Sequence, residues 1–240
     1  MTHIFSFFRF LSSKLPITSP KIILSEINCV VRNKQNSDSL RILDLGCGDG
    51  SIWSNSELSD CLVSKNVKIT LIDANQGLLE RSQSGKEPRF FHEVGVLPQY
   101  LQKFQADEFD IVLAIDLIEH LSKEDGYHLL YEIDRIAQYS SIILTPNGFL
   151  WQPPALNNSK NAHISSWTVK ELRNIGWDNV RGLLGLKMFW GPYGQPKNKP
   201  TNTLMWEFFA FQKILCFLFP RLSISFRAIK RRKLPRNSMH

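Results

Sequence analysis

Short apolar runs alternate with stretches of helical spacing through the middle of the chain. Residues 41–45 (RILDL) form an apolar run that stops at glycines and predicts a buried strand. Helical spacing follows from Gly50 to Ser64. A second strand is expected over Val67–Ile72 and a helix over Asn75–Ser84. Arg89–Val94 predicts a third strand. Phe109–Ile115 (FDIVLAI) is apolar almost throughout, as in a strand covered on both faces of a parallel sheet. Ser122–Tyr139 sets Leu129, Leu130, Ile133 and Ile136 at helical spacing. Ser141–Leu144 predicts a fifth strand, halted by Pro146, Asn147 and Gly148. A further helix opens at Ser165, carries Val169, Leu172 and Ile175, and ends at Gly176. Trp177–Lys187 reads as a strand. Leu222, Ile224 and Phe226 alternate with serines and predict the last one.

Strands that alternate with helices imply βαβ units. The expected fold is therefore α/β, a doubly wound and mostly parallel seven-stranded sheet. A strongly apolar helix over 203–219 is expected as an insertion before the last strand. The expected organisation is an N-terminal helical docking segment (1–38), one domain (39–230) and a basic tail (231–240).

Composition supports a folded core: of 240 residues, 43% are hydrophobic and 21% charged, too few charges for a disordered chain. Four widely spaced cysteines without a C-x-x-C pair suit a reducing, cytoplasmic setting. The net charge of +7 gathers at the C-terminus, in Lys230, Arg231, Arg232, Lys233 and Arg236. The first 15 residues are apolar and aromatic, with Arg9 inside the run, an order unlike that of a secretion signal. They are expected to form a docking helix, on the domain or on a membrane face.

The candidate chemistry begins at Asp44-Leu45-Gly46-Cys47-Gly48-Asp49-Gly50, between a strand and a helix. Glycines there let a ligand approach the main chain, and the following helix start offers unpaired N–H groups. The dinucleotide fingerprint G-x-G-x-x-G is not met, because Ser51 stands at its third position. Asp44, just before the glycines, suits a ligand with a positive group better than a pyrophosphate. Asp73, at the end of the second strand, is placed to accept the hydroxyls of a ribose. Acid, glycine loop and second acid together suit a nucleoside that carries a sulfonium and an amino acid.

ILDLGCGDGS resembles the first motif of class I S-adenosylmethionine-dependent methyltransferases, which have a Rossmann-like fold. LIDAN resembles their ribose-binding acid, and DEFDIVLAIDLIEHL their fourth-strand motif. IILTPNG and HISSWTVKELRNIGW are similar to later segments of the group that includes quinone and other small-molecule methyltransferases. The resemblance covers about 41–183. It implies that Asp44, Gly46 and Gly48 hold the methionine part of the cofactor and Asp73 the ribose, with Cys47 also among the cofactor-binding residues. Ala74 or Asn75 would flank the adenine, and Ile115 and Asp116 would line the methionine side. The family's Gly-Asp after strand three is replaced by His92-Glu93-Val94-Gly95, which leaves Glu93 as the substitute acid.

The resemblance also implies methyl transfer by in-line displacement, for which the protein supplies alignment and, where the acceptor must lose a proton, a base. The candidates are Glu119, His120 and His163. Asp116-x-x-Glu119-His120 with a distant histidine resembles the metal sites of small-RNA 2′-O-methyltransferases and some quinone O-methyltransferases. Asp116 is a shorter acid than the glutamate there, and IEHL segments occur in relatives that need no metal, so no metal is expected. The acceptor classes are a small molecule, a glycan or a lipid-linked compound. The 203–219 stretch, the N-terminal aromatics and the basic tail would give peripheral contact with an anionic membrane, unless 203–219 packs on the sheet. RNA methylation and a non-catalytic, cofactor-binding partner subunit are the alternatives. No nucleic-acid module is evident.

Overall fold

The computed structural model describes residues 19–34, 39–63, 65–82, 87–150, 152, 161–177, 179–182, 215–216, 218–223 and 225–232. Its strands are β1 (Leu40–Leu45), β2 (Val67–Asp73), β3 (Phe90–Val94), β4 (Phe109–Ile115), β5 (Ala137–Pro146), β6 (Asn179–Gly182) and β7 (Ser225–Arg231). They form one sheet in the order β3-β2-β1-β4-β5-β7-β6. β1 to β5 are parallel, and β7 runs antiparallel between β5 and β6. The strand order reverses direction at β1 and β4, and that is where a doubly wound sheet opens a crevice at the carboxyl ends of its strands.

Successive residues of a strand face opposite sides, so the sheet carries two cores. Ile42, Ile111 and Ile142 face α1 (Ser19–Asn33), which buries Ile22, Ile23, Ile27 and Val30. α2 (Ser56–Val63) adds Leu58 and Leu62 to the same side. Leu43, Val112 and Ile143 face the other side, where α4 (Lys123–Ile136) buries Leu129, Ile133 and Ile136. α3 (Gln76–Arg81) and α5 (Val169–Asn174) complete the helices. Among the described residues no helix is long and apolar enough to cross a membrane.

Elements differ from their sequence expectation where side chains outside the apolar pattern decide. The helix expected over 50–64 is divided: a 3-10 turn, Ser51–Ser54, precedes α2, and the Asn55 side chain between them accepts from the Glu57 N–H at 3.1 Å. The helix expected over 122–139 stops at Ile136 and passes straight into β5, with no glycine or proline to announce the change. The helix expected from Ser165 begins only at Val169. Thr168 and Glu171 form a reciprocal capping box there, while Trp167 pairs with Gly148 in an isolated bridge.

The last strand also differs. Pro220–Leu222 is a 3-10 turn, and β7 starts at Ser225 and carries Lys230 and Arg231. Phe226 to Ile229 are all buried, because this strand lies inside the sheet. The helix expected over 203–219 lies outside the described residues except for 215–216 and 218–219. The docking helix expected in the first 15 residues lies outside them entirely.

Two stability effects follow from this packing. A Cβ on Gly126, inside α4, would meet Cζ2 of the buried Trp167 at 2.3 Å. Gly126→Ala is therefore expected to cost about 1–3 kcal/mol, read as a lower melting temperature. Glu26 of α1 is 1% exposed and accepts from Ser140 Oγ and Arg231 Nε, each at 2.9 Å. Arg231 is half exposed, so Arg231→Ala is expected to cost about 2 kcal/mol by denaturant titration, less than a fully buried pair would.

Candidate active site

The loop after β1 is built by its glycines. Gly46, Gly48 and Gly50 have φ of 65°, 59° and 69°, which side chains with a Cβ rarely adopt. At Gly46 a Cβ would also meet Leu117 Cδ1 at 2.7 Å. At Gly48 nothing lies within 4 Å of that position, so its backbone is open to approach. The loop is tied to β2: Gly46 N–H donates to the Ile72 carbonyl at 2.8 Å, and Gly48 N–H donates to Asp73 Oδ2 at 2.8 Å. Asp73 Oδ1 accepts from Asn75 N–H at 2.8 Å, which fixes this carboxylate beside the loop.

A cavity of about 620 Å³ opens along this loop, within the size range of small-molecule sites. Asp44, Gly46, Cys47, Ile115 and Asp116 line it, together with Ser19 and Pro20 from the start of α1. Five of the residues singled out from sequence thus meet at one cavity. Asp73 and Gly48 adjoin it through their hydrogen bond and are not among its lining residues. Glu93 sits on β3 opposite Ile72, with its carboxylate bound to Lys103 Nζ at 2.8 Å and Tyr100 OH at 3.2 Å.

Electrostatics in the cavity favour a cation. Asp44 is 2% exposed, and burial pushes its carboxyl up to about 7 even though Trp53 Nε1 donates to Oδ2 at 2.8 Å. The nearby Asp73 charge raises it further. Burial also raises the Cys47 thiol, aided by Asp44 and Asp73, so Cys47 stays a neutral wall residue. Asp116 faces the cavity with φ of 48°, a backbone conformation uncommon for a residue with a side chain. The surrounding walls raise its carboxyl above the usual range, and His163 partly offsets that.

Beside Asp116 the 3-10 turn Ile118–His120 meets the segment 161–165. Ile164 and Ser165 N–H groups donate to the Glu119 carbonyl at 2.9 and 3.1 Å, and Ser165 Oγ donates to the Ile118 carbonyl at 3.1 Å. These bonds bring His120 and His163 together, with ring centres 4.8 Å apart. Glu119 is 2% exposed and accepts from Thr145 Oγ1 at 2.9 Å. Burial, with the Asp116 charge adding to it, pushes the Glu119 carboxyl up to about 8. Burial holds the His120 imidazole below its ordinary value. All three catalytic candidates therefore share one cluster.

Sequence reasoning missed Trp53, Thr145, Ser19 and Pro20. Trp53 stands nine residues after Asp44 with only its proximity to the glycine loop as a signal, and the other three carry no local signature.

The sheet order, the glycine loop after β1 and the acid ending β2 define a class: the class I, S-adenosylmethionine-dependent methyltransferase domain with a Rossmann-like fold. The chain belongs to the methyltransferase-domain family, whose model matches residues 36–177. Over 102 residues it is 26% identical to an uncharacterized protein of Methanocaldococcus jannaschii, covering 42% of this chain and 39% of that protein. The chain thus spans about two fifths of the length of that relative. A SAM-dependent methyltransferase from Archaeoglobus fulgidus shares the fold, with a TM-score of 0.51 at 16% identity, covering 93% of this chain and 99% of that one. Magnesium protoporphyrin IX methyltransferase from Synechocystis gives 0.47 at 15% identity, over 89% and 79% of the two chains.

Proposed function

We propose that the protein transfers the methyl group of S-adenosylmethionine to a small-molecule, glycan or lipid-linked acceptor. The observation that carries this reading is the cavity bounded by Asp44, the glycine loop and Asp116, with the Glu119–His120–His163 cluster beside it. The cofactor supplies an electrophilic methyl carbon on a sulfonium. Asp44 and Asp116 face that positive end, and the loop backbone from Gly46 to Gly48, open to approach at Gly48, receives the methionine part. Asp73 accepts the ribose hydroxyls through oxygen lone pairs that remain beside its two backbone bonds. Ala74 and Glu93 lie toward the adenine end.

On the acceptor side, His120 and His163 can take a proton. Each places Nδ1 against a backbone carbonyl, Ala162 at 3.1 Å and Leu150 at 2.6 Å, so a neutral ring donates there and keeps its Nε2 lone pair. Transfer then forms a bond from the acceptor atom to the methyl carbon as the carbon–sulfur bond breaks, leaving the electron pair on sulfur. The test is calorimetric titration with S-adenosylmethionine. Micromolar binding by the wild type, weakened at least tenfold by Asp73→Ala, is expected. A folded wild-type protein that does not bind would overturn the reading.

A further inference from the structure

The adenine ring of the cofactor meets a different setting from its sulfonium and its ribose. In S-adenosylmethionine the sulfur stands on C5′ and the adenine on C1′, at opposite sides of the ribose ring. The sulfonium end belongs at Asp44 of β1 and at Asp116, just after β4, and the ribose at Asp73, which ends β2. The strand order β3-β2-β1-β4 then sends the adenine away from β1, past Asp73, to the carboxyl end of β3. This placement rests on the methyl-transfer reading.

Strand alternation decides which side chains stand there. Paired residues of neighbouring strands share a face of the sheet, and successive residues alternate between faces. Asp44, paired with Leu71, lies on the α1 face, and Asp73, paired with Val94, lies on the same face. Glu93 pairs with Ile72 and therefore leaves the sheet on the α4 face. There Lys103 Nζ holds its carboxylate at 2.8 Å and Tyr100 OH at 3.2 Å, and Tyr100 packs against the α4-side core. Glu93 is thus near the adenine end by its place in the chain, but its carboxylate is turned to the other side of the sheet from that of Asp73.

Among the described residues, no other acid takes its place in the two loops that flank this point. Ala74 and Asn75 follow β2, and the Asn75 side-chain oxygen is occupied in capping α3, where it accepts from Leu78 N–H at 3.3 Å. Gly95, Val96 and Leu97 follow β3. Gly95 N–H donates to the Asp73 carbonyl at 3.0 Å, which ties this loop to the ribose acid. Val94 and Val96 are exposed. We infer that the adenine ring lies against Ala74 and Val96 with no acid reading its exocyclic amine, so that the site selects the ribose and the sulfonium and tolerates other purines.

The probes are S-adenosylhomocysteine and its 6-deamino analogue, in which purine replaces adenine, titrated calorimetrically into the full-length protein. The analogue keeps the ring nitrogens and lacks only the amine. The two are expected to bind within fivefold of each other. A carboxylate that accepted from the amine would instead make the analogue about ten- to a hundredfold weaker. Val96→Asp, at an exposed position that tolerates a charge, is expected to create a preference of about tenfold for the amino form. A wild type that prefers S-adenosylhomocysteine by more than fivefold overturns the inference, the more so if Glu93→Gln removes that preference. A Val96→Asp protein that binds both compounds equally well overturns the contact with Val96. A folded wild type that binds neither compound removes the methyl-transfer reading and this inference with it, whereas a strong preference for the amino form removes the inference alone.

Discussion

Replacing Asp44 with Asn is expected to lower affinity for S-adenosylmethionine about 100-fold at pH 8 and to abolish most of its pH dependence. The loss corresponds to a charge-assisted contact of about 2–3 kcal/mol. In the free protein the Asp44 carboxyl titrates near 7, because burial outweighs the hydrogen bond from Trp53. A sulfonium and an ammonium prefer the ionised form. Affinity should therefore rise with pH through this range, and fall about tenfold from pH 8 to pH 6 as the ionised fraction drops. The contribution of Asp44 to the stability of the free protein runs the other way. Its carboxyl is raised above the unfolded value of 3.8, so this contribution is fully present below pH 3.8 and is lost as pH rises through 7. Binding would then stabilise the protein most at high pH. Calorimetric titrations at four pH values, on wild type and Asp44→Asn, measure both effects. Equal affinity of the wild type at pH 6 and pH 8 would remove Asp44 from contact with the cofactor's charge.

How far the sequence anticipates this site depends on whether a local rule governs each part. β1, β2 and β4 are buried on both faces, so their apolar runs match the strands within a residue or two. The glycine loop is legible because positive φ at Gly46 and Gly48 demands that residue type. β7 is not legible in the same way. The alternation that predicts it starts at Leu222, still in the 3-10 turn, and ends at Phe226, the second residue of the strand, while its basic residues read as a solvated tail. Lys230 instead meets Asp134 at 3.0 Å and Arg231 meets the buried Glu26. The Trp53–Asp44 bond and the Thr145–Glu119 bond, which shape the acids of the site, join residues whose meeting depends on the finished packing. The same holds for His120 and His163, brought together by backbone bonds from the segment 161–165 to the turn at 118–120.

Lys34→Met is expected to be among the most damaging single changes to stability, and the reason lies away from the cavity. Asp110, in the middle of the sheet on β4, has no exposed surface. Both its oxygens accept from Lys34 Nζ at 2.9 Å, and Oδ2 also accepts from Arg41 N–H at 2.6 Å. Lys34 follows α1, is largely buried itself and donates to the Ser39 carbonyl at 3.2 Å, so one ammonium joins the end of α1 to β1 and β4. Removing it leaves a carboxylate charge in the core, at a cost of about 3 kcal/mol. For a chain of this size that lowers the melting temperature by about 6–12 °C. The charge, rather than the missing methylenes, is the cause, because Met nearly matches the lysine stem. Asp110→Asn in the Lys34→Met background should therefore recover more than half of the loss, since an amide oxygen still accepts from Arg41 N–H and carries no charge to desolvate. A single variant as stable as wild type would show that water reaches Asp110. A double variant no better than the single would place the cost in the packing of α1 instead.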